Sequence, residues 1–143
     1  MNEKSCGTIP YTISNGTVYY LLVKAKGDGH CGFPKGHVEA NESEEETAFR
    51  ETLEETSVNV QINNKFRYEI SYQIDKGKTK KVVYFLANFQ NQTPKRNRDF
   101  EDFEYLLLPF SCALKKLTFE NARRMLKAAN DFLTDGTTKS PIV

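Results

Sequence analysis

The sequence predicts an α/β (α+β) layered domain, and three observations lead there. Runs rich in β-branched and aromatic residues recur along the chain, the pattern of strands. Between them lies one acidic stretch of helical character, and near the end an apolar repeat of helical period. At 143 residues the chain has the length of a single domain, 1–143, with room for a real core but not for two.

Each element carries its own signal. GTVYYLLVKAK (16–26) reads as a strand, and KGDGHCGFPKG (26–36), with four glycines and a proline, as a loop. Ser43 followed three residues later by Glu46 has the capping-box form and opens a helix over about 44–56. NKFRYEISYQI (64–74) and KVVYFLANF (81–89) are strands flanking DKGKTK, which has the composition of a hairpin turn. FEYLLLPF (103–110) is a further strand. Ala122, Leu126, Ala129 and Leu133 mark one face of a terminal helix. The last ten residues, TDGTTKSPIV (134–143), form a polar tail expected to fray.

Composition narrows the setting. No apolar run approaches the ~20 residues of a membrane span, so no membrane partner is expected. MNEKSCGTIP lacks the apolar region of a secretory signal, and Cys6, Cys31 and Cys112 are scattered without a metal-binding spacing. Both features fit a reducing, cytoplasmic location. The expected working unit is a monomer. A net charge of +1 argues neither for nor against nucleic acid; no DNA partner is expected. It hides a local asymmetry, however: acid is concentrated in 39–55, base in 76–81 and 95–98.

Eight glutamates fall between Glu39 and Glu55. Glu44, Glu45 and Glu46 sit in the first turn of the predicted helix, where the macrodipole favours them and a solvated face explains them. Glu51, Glu54 and Glu55 are different. With Glu51 as the zero of a helical wheel, Glu54 lies at about −60° and Glu55 at about +40°, so the three share one face. They repel one another and stand in the last turns, where the dipole disfavours anions. A hard dication held by oxygen ligands relieves that repulsion. Phe49 and Leu53 lie opposite and are expected to anchor the helix to a sheet, and Arg50 is placed to orient Glu54.

From Gly36 the chain runs glycine, five residues, Glu42, seven residues, Arg50-Glu51, Thr52, Leu53, Glu54-Glu55, Thr56, Ser57, Val58. This resembles the Nudix box, the metal-binding loop–helix–loop of Nudix hydrolases, in six charged or glycine positions. Two positions depart from the family pattern: Ser57 stands where a glycine usually ends the helix, and Thr52 where an aliphatic residue is usual. The flanks FPKGHVE, SCGTIPY with YYLLVKA, KTKKVVYFLA, and EDFEYLLLPFSCALKKLTF with NDFL resemble the asymmetrical bis(5′-nucleosyl)-tetraphosphatases within that family. The resemblance covers roughly residues 5–133.

The resemblance implies a Nudix fold, a mixed sheet sandwiched between helices. It also implies Mg²⁺-dependent (or Mn²⁺-dependent) attack of water on phosphorus, splitting diadenosine tetraphosphate into ATP and AMP. On this reading Glu51, Glu54 and Glu55 hold metal with the carbonyl of Gly36, and Arg50 orients them. Glu54 and Glu101 are the two candidates for the base, and Glu101 is also a candidate metal ligand. Lys80 and Lys81 are expected to grip phosphate. Lys35 and His37 either touch phosphate or hold the loop. Tyr84 is expected to stack on the base with Phe132 as the opposite wall, although the residues alone read each as core. The bases Lys95, Arg96 and Arg98 leave room for an alternative, a pyrophosphohydrolase acting on the 5′ end of RNA. A pyrophosphatase for another nucleotide ranks lower, and a non-catalytic nucleotide-sensing module would be expected to have lost the box carboxylates, all of which are present.

Overall fold

A computed structural model describes residues 2–27, 29–95 and 103–139. Its elements follow in the order β1 (Asn2–Ser14), β2 (Thr17–Ala25), β3 (Cys31–Gly32), β4 (Lys35–His37), α1 (Glu44–Thr56), β5 (Gln61–Asp75), β6 (Lys78–Asn88), β7 (Phe103–Pro109), α2 (Phe110–Lys116) and α3 (Glu120–Lys139). The short strand β3 and the first two residues of β4 lie inside the stretch expected to be loop. Helix α2 begins where the last predicted strand ends, and α3 continues to Lys139, well into the polar stretch expected to fray.

The sheet is mixed. β1 runs parallel to β6 from Asn2↔Thr79 to Tyr11↔Asn88, and β6 pairs antiparallel with β5. Along its other edge β1 changes partner: β4 at Ser5–Gly7, then β2 at Tyr11–Ser14. The β1–β2 turn is Asn15-Gly16, both at positive φ, as a tight hairpin requires. β2 then leaves β1 and continues with β3 and β7. The place where β1 exchanges one neighbour for another is a gap in the sheet, and it becomes the site.

Strand alternation sends side chains to two layers. Ile9, Tyr20, Leu22, Val82 and Leu86 face α2 and α3, where they meet Ala113, Leu117, Met125, Leu126 and Ala129. Tyr20 also donates its hydroxyl to Asn130 on α3 at 2.7 Å. Cys6, Val83 and Phe85 face the other way, against Ala48 of α1. The mixed sheet therefore lies between helices, the predicted class.

The inner face of α1 differs in part from the prediction. Thr47, Ala48, Thr52, Glu55 and Thr56 are its buried residues. Phe49 is half-buried and packs on a second cluster, Leu21 of β2 and Ala87 of β6 with Val58, Val60 and Phe89, so it does anchor the helix to the sheet as expected, whereas Leu53 is half-exposed. Small residues permit a close approach to β1, and hydroxyls then satisfy each other. Thr52 donates to the Ala48 carbonyl at 2.8 Å, so in the 2.7 Å contact between Thr8 and Thr52 the donor is Thr8. Thr52→Val leaves the Thr8 hydroxyl buried without that acceptor and should cost about 1–3 kcal/mol. Adding Thr8→Val should recover most of the loss in a denaturant titration; strictly additive losses would show that the two hydroxyls act independently.

The box helix ends on Ser57, in the left-handed conformation (φ 63°, ψ 21°), with its N–H donating to Leu53 O at 2.8 Å. A side chain in that conformation costs roughly 1–2 kcal/mol, partly offset by the flexibility a glycine adds to the unfolded chain. Ser57→Gly is therefore expected to raise the unfolding free energy by up to about 1 kcal/mol. A fall in Tm would show that the serine side chain has a stabilising role of its own.

Candidate active site

The capping box is complete. Ser43 accepts from the N–H of Glu46 at 3.1 Å, and Glu46 accepts from the N–H of Ser43 at 2.8 Å. Glu44 is tied to Lys4 at 2.7 Å and to Arg67 at 2.8 and 2.9 Å, which pins the start of α1 to β1 and β5. With that end fixed, the last two turns deliver Glu51, Glu54 and Glu55 to the loop around β4.

Arg50 organises these acids. Its Nε and Nη2 donate to the two oxygens of Glu42 at 2.7 and 3.0 Å, a bidentate pair, and Nη2 also reaches the His37 carbonyl at 3.1 Å. Nη1 donates to Glu51 at 2.9 Å and to Glu54 at 3.3 Å. The guanidinium hydrogen bond, with a second from the Glu39 N–H, holds the Glu42 carboxyl down at about 2. One side chain thereby fixes the loop before the helix and two of the three face carboxylates. Glu42 lies in the recognised pattern, but its pairing with Arg50 becomes visible only here.

Glu51 and Glu55 are placed differently from Glu54. Glu55 is 9% exposed. Burial first, and then the neighbouring Glu51, push its carboxyl up to about 8, and the same burial raises Glu51. The two share a hydrogen bond in which protonated Glu55 is the donor, and Glu55 accepts from the Lys35 backbone N–H. The Glu51 carboxyl lies so close to Gly36 that a Cβ there would collide with it, so the first glycine of the pattern is required for space. Among the described residues no three acidic, histidine or cysteine side chains close round one point. The donor chemistry nonetheless fits a hard divalent cation: three carboxylates, all oxygen donors, two of them crowded until they share a proton.

Beyond Glu55 a cavity of about 540 Å³ opens in the gap between β2 and β4. Glu55 and Lys35 line the end toward the carboxylates, and Tyr84, Phe33, Tyr72, His30 and Phe119 supply aromatic walls. Tyr84 is 6% exposed and sits edge-on to Phe33 at 6.4 Å. It belongs to the core and also lines the cavity. Phe119, 52% exposed, meets His30 edge-on at 5.0 Å across the mouth. Neither His30 nor Phe119 was anticipated, because an aromatic residue in a loop carries no periodic signal.

Other expected residues are separated by the fold. Phe132 does not line the cavity; it lies on α3 against Phe66 at 5.6 Å. Alternation along β6 splits the lysine pair. Lys80 shares the face of Val82 and Tyr84; burial first, and then the charge of Lys80, pull the pKa of half-buried Lys35 down. Lys81 points to the opposite layer and pairs with Glu69 at 3.7 Å. His37 also turns outward, to Glu3 at 3.4 Å, leaving only its carbonyl to the site. Glu101, Arg96 and Arg98 lie outside the described residues. Lys95 is exposed, its N–H held by the Thr56 carbonyl.

The carboxylate-bearing loop–helix–loop and the cavity beside it lie within the span that the NUDIX domain matches, residues 8–129. The chain belongs to the Nudix family. Among its relatives, the asymmetrical bis(5′-nucleosyl)-tetraphosphatase of Mus musculus is 32% identical over 145 aligned residues, 93% of this chain and 97% of that protein. The Sus scrofa protein of the same name is 31% identical with the same coverage. A crystal structure of a C. elegans Ap4A hydrolase in a binary complex superposes with a TM-score of 0.83 at 27% identity, over 93% of this chain and 98% of that one. No described helix is long and apolar enough to cross a membrane.

Proposed function

We propose that this chain hydrolyses dinucleoside polyphosphates, splitting diadenosine tetraphosphate into ATP and AMP with Mg²⁺ or Mn²⁺, in the cytoplasm and as a monomer. The observation that carries the reading is the continuity of the site. Glu55 and Lys35 belong both to the carboxylate face and to the aromatic cavity, so one ligand can place phosphates on the first and a nucleoside in the second. Relatives alike over nearly the whole chain bear the same activity in their names.

Divalent ions on Glu51, Glu54, Glu55 and the Gly36 carbonyl would neutralise the polyphosphate and acidify the attacking water. The chain's own groups do the rest. Lys35 and Lys80 add positive charge on the cavity side. Arg50 keeps Glu51 and Glu54 from turning away. Glu54 accepts the proton of the water as it attacks phosphorus, with Glu101 the other candidate for this step. Tyr84 and Phe119 flank the base, and burial of the nucleoside fixes which phosphorus lies beneath the carboxylates.

Product analysis after hydrolysis of diadenosine tetraphosphate in water enriched in heavy oxygen tests the proposal. ATP and AMP should appear in equal amounts, with label in only one of them. Two molecules of ADP, or turnover confined to RNA 5′ ends on the same preparation, would overturn it.

A further inference from the structure

The loop that carries Phe119 is three residues long, between the end of α2 and the start of α3, and it is held from β3. Thr118 and Cys31 exchange two hydrogen bonds: the Cys31 N–H donates to Thr118 Oγ1 at 2.7 Å, and the Thr118 N–H donates to the Cys31 carbonyl at 3.1 Å. β3 pairs with β2 along one edge; Thr118 satisfies both backbone groups of Cys31 on the other, as a one-residue continuation of the sheet. Behind it, Arg123 donates through Nη1 to the Leu117 carbonyl at 2.6 Å, and its N–H reaches the Phe119 carbonyl at 3.2 Å. Leu117 itself is buried in the core. The residue before Phe119 is thus bonded to the residue after His30, and the ring pair across the mouth rests on that clasp.

Packing alone does not hold Phe119 where it stands, since half of its surface is in water and its ring contact is with exposed His30. A ring so placed would gain by turning onto the protein surface. Its position is set by the backbone on either side, and the only side chain that ties this backbone to β3 is that of Thr118 among the hydrogen bonds described. We infer that Thr118 is a positioning residue for nucleoside recognition: through Cys31 it holds Phe119 and His30 across the mouth of the cavity, so that the base enters a preformed slot. The inference rests on the proposed function, in which that cavity takes the nucleoside.

The test compares Thr118→Val, Thr118→Ser and Phe119→Ala in the full chain. Thr118→Val keeps the shape of the side chain but removes the acceptor. It should raise KM for diadenosine tetraphosphate roughly five- to tenfold while kcat stays within about twofold. The inhibition constant of inorganic tetraphosphate, which has no base, should not move. Thr118→Ser restores the acceptor and should return KM to within about twofold of wild type. An unchanged KM in Thr118→Val overturns the inference, as does a common fall of kcat, tetraphosphate affinity and Tm in both Thr118 variants, since that is a purely structural role. Phe119→Ala separates the layers: a raised KM there with a normal Thr118→Val overturns only the clasp, whereas a normal KM in Phe119→Ala overturns the assignment of the cavity to the nucleoside.

Discussion

Glu54→Gln and Glu55→Gln are each expected to lose about a thousandfold or more in kcat while remaining folded, because each removes an anionic oxygen from the one surface that can hold the reaction's cations. The fold should survive for different reasons in the two cases. Glu54 is partly exposed and bonded to Arg50, which keeps Glu42 and Glu51 as partners when Glu54 is neutralised. Glu55 is buried, and without metal it is a proton donor to Glu51, a role a glutamine amide also fills.

The sign of the stability change follows. Glu55 in the unfolded chain ionises near 4.5, but in the folded, metal-free chain it holds its proton up to about 8. The folded state therefore binds more protons through this window, and its stability falls as pH rises from 4.5 toward 8. Glu55→Gln removes that dependence. In the presence of a chelator at pH 8 its Tm should equal or exceed that of wild type, and its pH–stability curve should be flatter over the window. Adding Mg²⁺ should raise the wild-type Tm more than that of either variant. Normal turnover in either variant would remove the metal assignment; loss of turnover together with a collapse of Tm would assign these glutamates to the fold instead.

The second large effect is expected of Arg50→Lys, which keeps the charge and loses the fork. Arg50 serves Glu42 twice, Glu51, Glu54 and the His37 carbonyl. A lysine ammonium has three donors on one atom and cannot reach acceptors spread on both sides of a planar group. Glu42 and one of the face carboxylates would be released together. Activity at saturating Mg²⁺ is expected to fall about 10–100-fold, and the Mg²⁺ concentration for half-maximal rate to rise, since the ligands are no longer held in place. If only Tm changes, with Mg²⁺ dependence intact, Arg50 serves the loop and not the carboxylates.

What was legible beforehand and what was not divide along a physical line. Local pattern suffices for the box helix: its first residue is set by a capping box and its acidic face by residue spacing, and both depend only on neighbours three and four positions away. The same holds for the long strands, whose alternation is local. The buried face of α1 is only partly legible: Phe49 reaches the sheet at Leu21 and Ala87, but the close approach of β1 at Thr8 selects the small and hydroxyl-bearing side for full burial and leaves Leu53 half-exposed. Lys80 and Lys81 are adjacent in sequence and lie in opposite layers; only the register of β6 against β1 and β5 assigns each its side.

The sequence by itself determined the class of domain, the helix that carries Glu51, Glu54 and Glu55, and membership of a family that works on nucleotides, since each rests on residues close together in the chain. The tertiary structure alone decided that His30, Tyr72 and Phe119 join Tyr84 in walling the cavity, that Phe132 stands elsewhere, and that Glu55 is shut away beside Lys35. The aromatic residues lining the cavity come from separate segments, from the stretch before β3 to the loop between α2 and α3, and they meet where β1 changes partner along one edge and leaves a gap in the sheet.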